Sequence, residues 1–273
     1  MKKSLIQEAI EASPNRRSFV RKVGLASAAV GAGLAVDLKE AKGATTTDIN
    51  VANFALNLEF LESEFYTVAT TGKTLEESGF YTGPSSGPTY GGKKVSFPNN
   101  LLFTSTVANQ IAEDERAHVK LLLGLLGSAA IKKPTINLDA LGFGFGSEND
   151  FLKLGRIFED IGVSAYAGAA PLLSSAVVAT AARILAAEGE HVSNLRLQVA
   201  RLNISTAPPL DSVDILPPPS GTRFFSLNSD GLCAVRTPGQ VLYLAYGAGG
   251  VDKGGFFPDG VNGVFRVSST SPA

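Results

Sequence analysis

The chain has 273 residues, 24 Lys+Arg against 25 Asp+Glu, one Cys, no Trp and two His. One cysteine excludes a disulfide framework and every zinc or iron–sulfur site built from several thiolates. A net charge of −1, with no dense basic run beyond the first 22 residues, argues against a nucleic-acid partner, and 44% hydrophobic with 18% charged residues describes a chain that buries a core.

Residues 14–22 read Pro-Asn-Arg-Arg-Ser-Phe-Val-Arg-Lys. Arg16-Arg17 followed by Phe19 and a further base resembles a twin-arginine export signal. Residues 23–36 are small and weakly hydrophobic, too short a run for the roughly 20 residues that span a bilayer, and fit the apolar part of a signal peptide. Ala41-Lys42-Gly43 offers a cleavage point before Ala44. Residues 1–43 are therefore expected to be an address, with no permanent membrane anchor and a periplasmic or extracellular destination. The resemblance implies the twin-arginine translocase, which carries folded proteins, as a partner. Without this segment the chain keeps 16 basic and 21 acidic residues, a net charge of −5.

A first helix is expected from Ile49, capped by Thr47 or Asp48. Val51, Phe54, Ala55, Leu58, Leu61, Phe65 and Val68 keep its apolar spacing of three to four. Gly72 stops it, and the Gly- and Pro-punctuated stretch to Pro98 reads as a long loop. Asn99 or Asn100 caps a second helix that runs to Gly127. After a connection over 128–148, a third helix starts near Asn149 and ends before Pro171. A fourth opens at Ser174 or Ser175 and runs to about Leu202. Four helices of this length predict an all-α antiparallel bundle over residues 44–204. The long link between helices 2 and 3 lets those two run parallel as a crossover.

The Pro/Gly-rich extension over 205–273 contains Thr237-Pro238-Gly239-Gln240, a capping box with Pro at the first helical position, ahead of a short apolar helix ending at Gly247. Phe256-Phe257-Pro258 is apolar enough to need a surface, on the bundle or on a neighbouring subunit of a homo-oligomer. Cys233 reads as a small buried residue.

Both histidines sit in one motif. Glu115 precedes His118 by three residues, and Glu188 precedes His191 by three. This spacing places carboxylate and imidazole on one helix face, where they can hold one metal ion. On helices 1 and 3, Glu59 is followed seven residues later by Tyr66, and Glu159 by Tyr166. Seven residues are almost two turns, so each Tyr shares the face of its Glu. The order Glu…Tyr, Glu-x-x-His, Glu…Tyr, Glu-x-x-His is an internal repeat with an approximate two-fold axis through the site.

These segments resemble the ferritin-like superfamily of di-metal carboxylate proteins, in which one Glu from each of two helices and Glu-x-x-His from the other two build a dinuclear centre. Residues 54–62 and 158–166, with Gly254-Gly255-Phe256-Phe257-Pro258, resemble a narrower branch of exported ferritin-like proteins related to plant desiccation-related and fungal stress proteins. The resemblance implies metal ligands at Glu59, Glu115, His118, Glu159, Glu188 and His191, with Glu115 and Glu188 bridging. Two Fe or two Mn ions suit oxygen and imidazole donors, and Zn is also compatible.

Around these ligands, Glu62 is an additional ligand or a carboxylate on the metal's way in. Asp114 is placed to accept a hydrogen bond from the imidazole of His118, and Asp160 is a weaker candidate for that role. Tyr66 and Tyr166 are placed to hydrogen-bond opposing carboxylates. Glu64, Glu113 and Glu190 fall on other faces and are expected in solvent.

A centre of this kind implies O2 or H2O2 as the small-molecule substrate, with ferroxidase, peroxidase or catalase chemistry in oxidative or desiccation stress. Dimanganese catalases also combine a bundle with a wrapping tail, but usually place Arg before the helix 3 Glu, where this chain has Phe158. A rubredoxin-type iron site lacks its cysteines, and the long tail disfavours a closed storage shell. The other class is a structural, protective envelope protein whose metals only staple the bundle.

Overall fold

The computed structural model describes residues 44–80, 82–83, 85–98, 104–206 and 218–272. The expected export segment and the Asn99 and Asn100 caps lie outside the described residues.

Helix α1 spans Thr46–Thr71 and starts earlier than expected. Asp48 is its third residue, not its cap: the Thr45 hydroxyl accepts from Asp48 N, and the Asp48 carboxylate accepts from Thr45 N at 2.6 Å. This reciprocal box satisfies amides that would otherwise be orphaned at the helix start. Helix α2 spans Thr104–Leu126. Helix α3 spans Glu148–Ala169, with Ser147 rather than Asn149 at its start. Helix α4 spans Val178–Arg201 and begins without a side-chain cap. Ser174, expected to open it, instead gives its amide and hydroxyl to the Asp48 carboxylate at 2.8 Å each.

Contacts between helix ends fix the directions. Asn53, early in α1, holds Ala129 O just beyond α2, while Thr67, late in α1, accepts from Arg116. The start of α1 also meets the end of α3 through Asp48 and Ser174. Helix α1 is therefore antiparallel to both, and α2 and α3 run parallel. Thr104 at the start of α2 donates to Gln198 near the end of α4, so this pair is antiparallel. The bundle is the expected ferritin-like one with a long crossover between its second and third helices. None of the described helices is long and apolar enough to cross a membrane.

A two-residue parallel ladder, β1 (Thr89–Tyr90) with β2 (Ile136–Asn137), ties the two long connections together. Strands this short carry no alternation, so the sequence did not announce them. Glu64 corrects the expectation of a solvent charge. It is fully buried, accepts from Lys133 Nζ at 2.5 Å and from Thr89 Oγ1 at 2.7 Å, and so joins α1 to both connections. Glu113 and Glu190 are exposed.

At the core, the Phe65 ring lies 4.9–5.4 Å from Tyr66, Phe145, Phe151 and Phe158. Burying each such ring stabilises by about 1.5–3 kcal/mol. Helix α5 spans Pro238–Tyr246 with the expected Thr237 capping box and Gly247 stop. The extension docks on the bundle: Phe256 and Phe257 are buried, Phe256 lies 5.0 Å from Phe158, and the Asn57 side chain bonds both N and O of Asn262. Cys233 is only half-buried.

Candidate metal centre

Each of the four long helices turns one polar stripe into the bundle. On α1 it carries Glu59, Glu62 and Tyr66; on α3, Glu159, Gly162 and Tyr166. Glu115 and His118 come from α2, Glu188 and His191 from α4. The four ligand-position carboxylates are fully buried, and each histidine is 8% exposed.

Two overlapping clusters result. Glu59, Glu115, His118 and Glu188 offer ligand atoms within 4.8 Å of one another, and so do Glu115, Glu159, Glu188 and His191. Glu115 and Glu188 belong to both. His118 Nδ1 lies 3.2 Å from Glu59 and 3.5 Å from Glu115 and Glu188. His191 Nδ1 lies 3.2 Å from both Glu115 and Glu159. Two donors each about 2.1 Å from one ion stand roughly 3 Å apart, so these separations suit shared ions. The rings lie 6.3 Å apart, one per cluster.

The donor atoms are otherwise unsatisfied. Glu59 Oε2, Glu159 Oε1 and both oxygens of Glu115 and Glu188 are buried with no hydrogen-bond partner. An unpaired buried carboxylate oxygen is costly, and cations between the helices would remove that cost. The residues present fit a pair of divalent ions.

Without cations, protons must do this work. Burial disfavours the His118 cation, yet Glu59 and Glu115 outweigh it and push its pKa up to about 11. Glu159 and Glu115 do the same for His191, also to about 11. Burial, then repulsion from Glu115, Glu159 and other carboxylates, raises Glu188 well above the usual range. Glu62 is raised likewise by burial and by Glu115, Glu159 and Glu59.

The surrounding groups sort differently from expectation. The Tyr166 hydroxyl donates to Glu59 Oε1, across the bundle. The Tyr66 hydroxyl is buried beside Glu159, short of a well-formed hydrogen bond to it. Burial and the neighbouring carboxylates, Glu159 for Tyr66 and Glu59 for Tyr166, keep both phenols protonated. Asp114 faces His191, its Oδ2 3.3 Å from Nε2, rather than the His118 of its own helix. The gap between α2 and α4 is narrow enough for it to reach across. Asp160 serves no imidazole. It is buried against Arg196 at 2.6 Å and Arg156 at 3.4 Å, and accepts from Ser226, which anchors the extension.

Glu62 and Gly162 hold equivalent places in the repeat, three residues after Glu59 and Glu159. A Cβ on Gly162 would come 2.6 Å from Glu188 Oε2 and 3.2 Å from Glu62 Oε1. The missing side chain is thus what admits Glu62 to the cluster. Gly162 escaped the sequence reading, although aligning the two Glu…Tyr segments exposes it.

The cluster meets two openings. A groove of about 340 Å³ between α2 and α4 is lined by Gln110, Asp114, His118, Glu190, His191 and Asn194. On the opposite side, an apolar cavity of about 50 Å³ ends at Glu62 and Gly162.

Comparison with known proteins bears on the fold. The ferritin-like domain family matches residues 47–201. A curated relative, the ferritin-like catalase Nec2 of Nesocodon mauritianus, is 23% identical over 282 aligned positions, covering 84% of this chain and 88% of the relative.

Proposed function

The chain belongs to the ferritin-like domain family, and we propose that it carries a dinuclear Fe or Mn centre that reacts with H2O2 or O2. The observation that carries this reading is the pair of overlapping four-residue clusters sharing Glu115 and Glu188. One cluster would hold each ion: Glu59 and His118 on one side, Glu159 and His191 on the other, with Glu115 and Glu188 between. Four carboxylates balance two divalent charges, which leaves the buried core neutral.

A bound Fe or Mn pair supplies two-electron exchange with the oxidant. The chain's own residues set the conditions for it. Tyr166 fixes the orientation of Glu59 by donating to it. Asp114 orients the His191 ring from its outer nitrogen, a contact of the kind that tunes metal affinity. The aromatic packing around Phe65 and Phe158 keeps bulk water from the α1/α3 side. The histidine edges remain open to the groove, where a hydrogen-bonding oxidant or an incoming cation would approach.

The likeness to a protein named a catalase supports taking H2O2 as the first substrate, in the balanced reaction 2 H2O2 → 2 H2O + O2. Arg16-Arg17 and the apolar run after it support a place of action outside the cytoplasm, in protection against oxidative or desiccation stress.

Metal analysis of the purified chain offered Fe(II) and Mn(II) tests the centre, and two ions per chain is the expected result. Oxygen release from H2O2 and oxidation of Fe(II) by O2, measured on the same sample, separate catalase from ferroxidase. Failure to retain either metal would sink the proposal. Metal retention with no turnover of either oxidant would make the ions staples of the bundle.

A further inference from the structure

The apolar cavity on the α1/α3 side serves no part of the chemistry above. It holds about 50 Å³ and is lined by Leu58, Ile157, Phe158, Ile161, Leu244 and Phe256, with Glu62 and Gly162 at its inner end. Its roof is α5 and the Phe256 turn, so the C-terminal extension completes it. A buried water needs two to four polar partners, and the lining offers one carboxylate. A cavity of this kind suits a small apolar molecule, which needs none.

The two sides of the cluster therefore differ in what they admit. The groove over the histidines, about 340 Å³, sets Gln110, Asp114, Glu190 and Asn194 among apolar side chains such as Val107 and Ile111; it has the hydrogen-bonding groups that ions, water and H2O2 need. A second apolar cavity, of about 60 Å³, lies between α1, α2 and the α3–α4 turn. It stops at Tyr166, whose hydroxyl is committed to Glu59, and none of the four cluster carboxylates lines it. Of these three, the cavity under α5 alone joins an apolar lining to Glu62, the buried carboxylate beside the cluster, and to the side-chain gap at Gly162.

We propose that the cavity under α5 is the path by which dioxygen passes to and from the dinuclear site, with Glu62 closing its inner end. This rests on the function proposed above, and it holds for either reaction, since ferroxidase chemistry consumes O2 and H2O2 disproportionation releases it. The C-terminal extension then has a role at the site: it builds the gas path that the four helices alone leave open.

The test uses the Fe(II)-loaded full chain and the variant Leu244→Trp, which fills the cavity from its roof and touches no ligand. Oxidation by dissolved O2 should slow about tenfold, equivalent to about 1.4 kcal/mol of added barrier, while oxidation by H2O2 and the metal content stay at wild-type values. Ala181→Leu, in the second apolar cavity, should keep the wild-type O2 rate. Equal O2 rates in Leu244→Trp and wild type would overturn the path alone, as would an equal fall of both oxidants. A wild-type chain that loads no metal would overturn the proposed function and the path with it. A second readout needs neither metal nor variant: dissolved O2 should enhance the nuclear relaxation of Leu244 and Phe256 side chains above that of Leu195 in the solid core. No enhancement there would overturn the path even with a metal-loaded, active protein.

Discussion

Glu62 and Gly162 are partners across the repeat: the carboxylate of one sits 3.2 Å from where the other would carry its Cβ. The two halves of the bundle are thus alike in their ligands and unlike beside them. One half contributes an additional acid, the other the space that acid occupies.

Gly162→Ala tests that asymmetry. A methyl here meets Glu188 Oε2 at 2.6 Å, so the carboxylate must move. Without metal Glu188 can swing away, and the gain in helix propensity of about 1 kcal/mol offsets the crowding. With metal it cannot move without leaving an ion. The metal-free variant should melt within a few degrees of wild type, while the rise in Tm on adding Fe(II) or Mn(II) shrinks. Calorimetry with and without metal checks this, and an undiminished metal-dependent rise would count against Glu188 as a ligand.

His118→Ala and His191→Ala should each remove one ion, because each ring serves a different cluster. The bundle itself should survive, since both rings sit at its edge. Metal per chain should fall from two towards one in either single variant and to none in the double. Mass spectrometry of the intact protein under native conditions reads this directly. Loss of both ions in one single variant would point to strong coupling through Glu115 and Glu188.

Much of this was legible in the sequence because spacing alone specifies it. Glu-x-x-His on a helix fixes a shared face whatever surrounds it, and Thr237-Pro238 announces α5 by local chemistry. What stayed hidden depends on partners distant in the chain. Glu64 reads as a solvent charge until Lys133 arrives from a loop 69 residues away. Asp160 reads as a neighbour of the metals, yet Arg196 of α4 claims it. Asp114 reaches the His191 of another helix, not the His118 of its own. At the start of α1, Thr47 and Asp48 both read as caps, and only the mutual hydrogen bonds of Thr45 and Asp48 reveal that Thr45 is the cap.

Asp48 makes a pH-dependent prediction away from the metals. Burial alone would raise its pKa, but hydrogen bonds from Thr45 and Ser174 outweigh it, and the value falls below the ordinary 3.8. A pKa lower in the folded than in the unfolded chain adds stability above 3.8, lost as pH falls through the folded value. Asp48→Asn should therefore cost about 1–2 kcal/mol at neutral pH, in the range of a lost helix cap. The difference from wild type should close as the pH drops below 3.8. Urea titrations at pH 7 and at acid pH measure it; a gap that persists in acid would show that packing, not charge, sets the cost.

The Glu64–Lys133 pair makes the last prediction, and here the second change offsets most of the first. Both side chains are fully buried, with Lys133 Nζ also bonded to Thr89 and near Glu76. Lys133→Met leaves the Glu64 carboxylate buried with only Thr89 Oγ1 and Leu75 N as donors. Removing one partner of a buried pair costs about 3–5 kcal/mol, whereas replacing both by apolar groups is often neutral. Lys133→Met should thus destabilise strongly, and Glu64→Leu added to it should recover most of the loss. Recovery will stop short of complete, because the Leu75 amide and Thr89 hydroxyl then lose their acceptor, a cost of about 1–3 kcal/mol. Denaturant unfolding of the two singles and the double gives the coupling energy. Additive losses would mean that the pair is held by its loops rather than holding them.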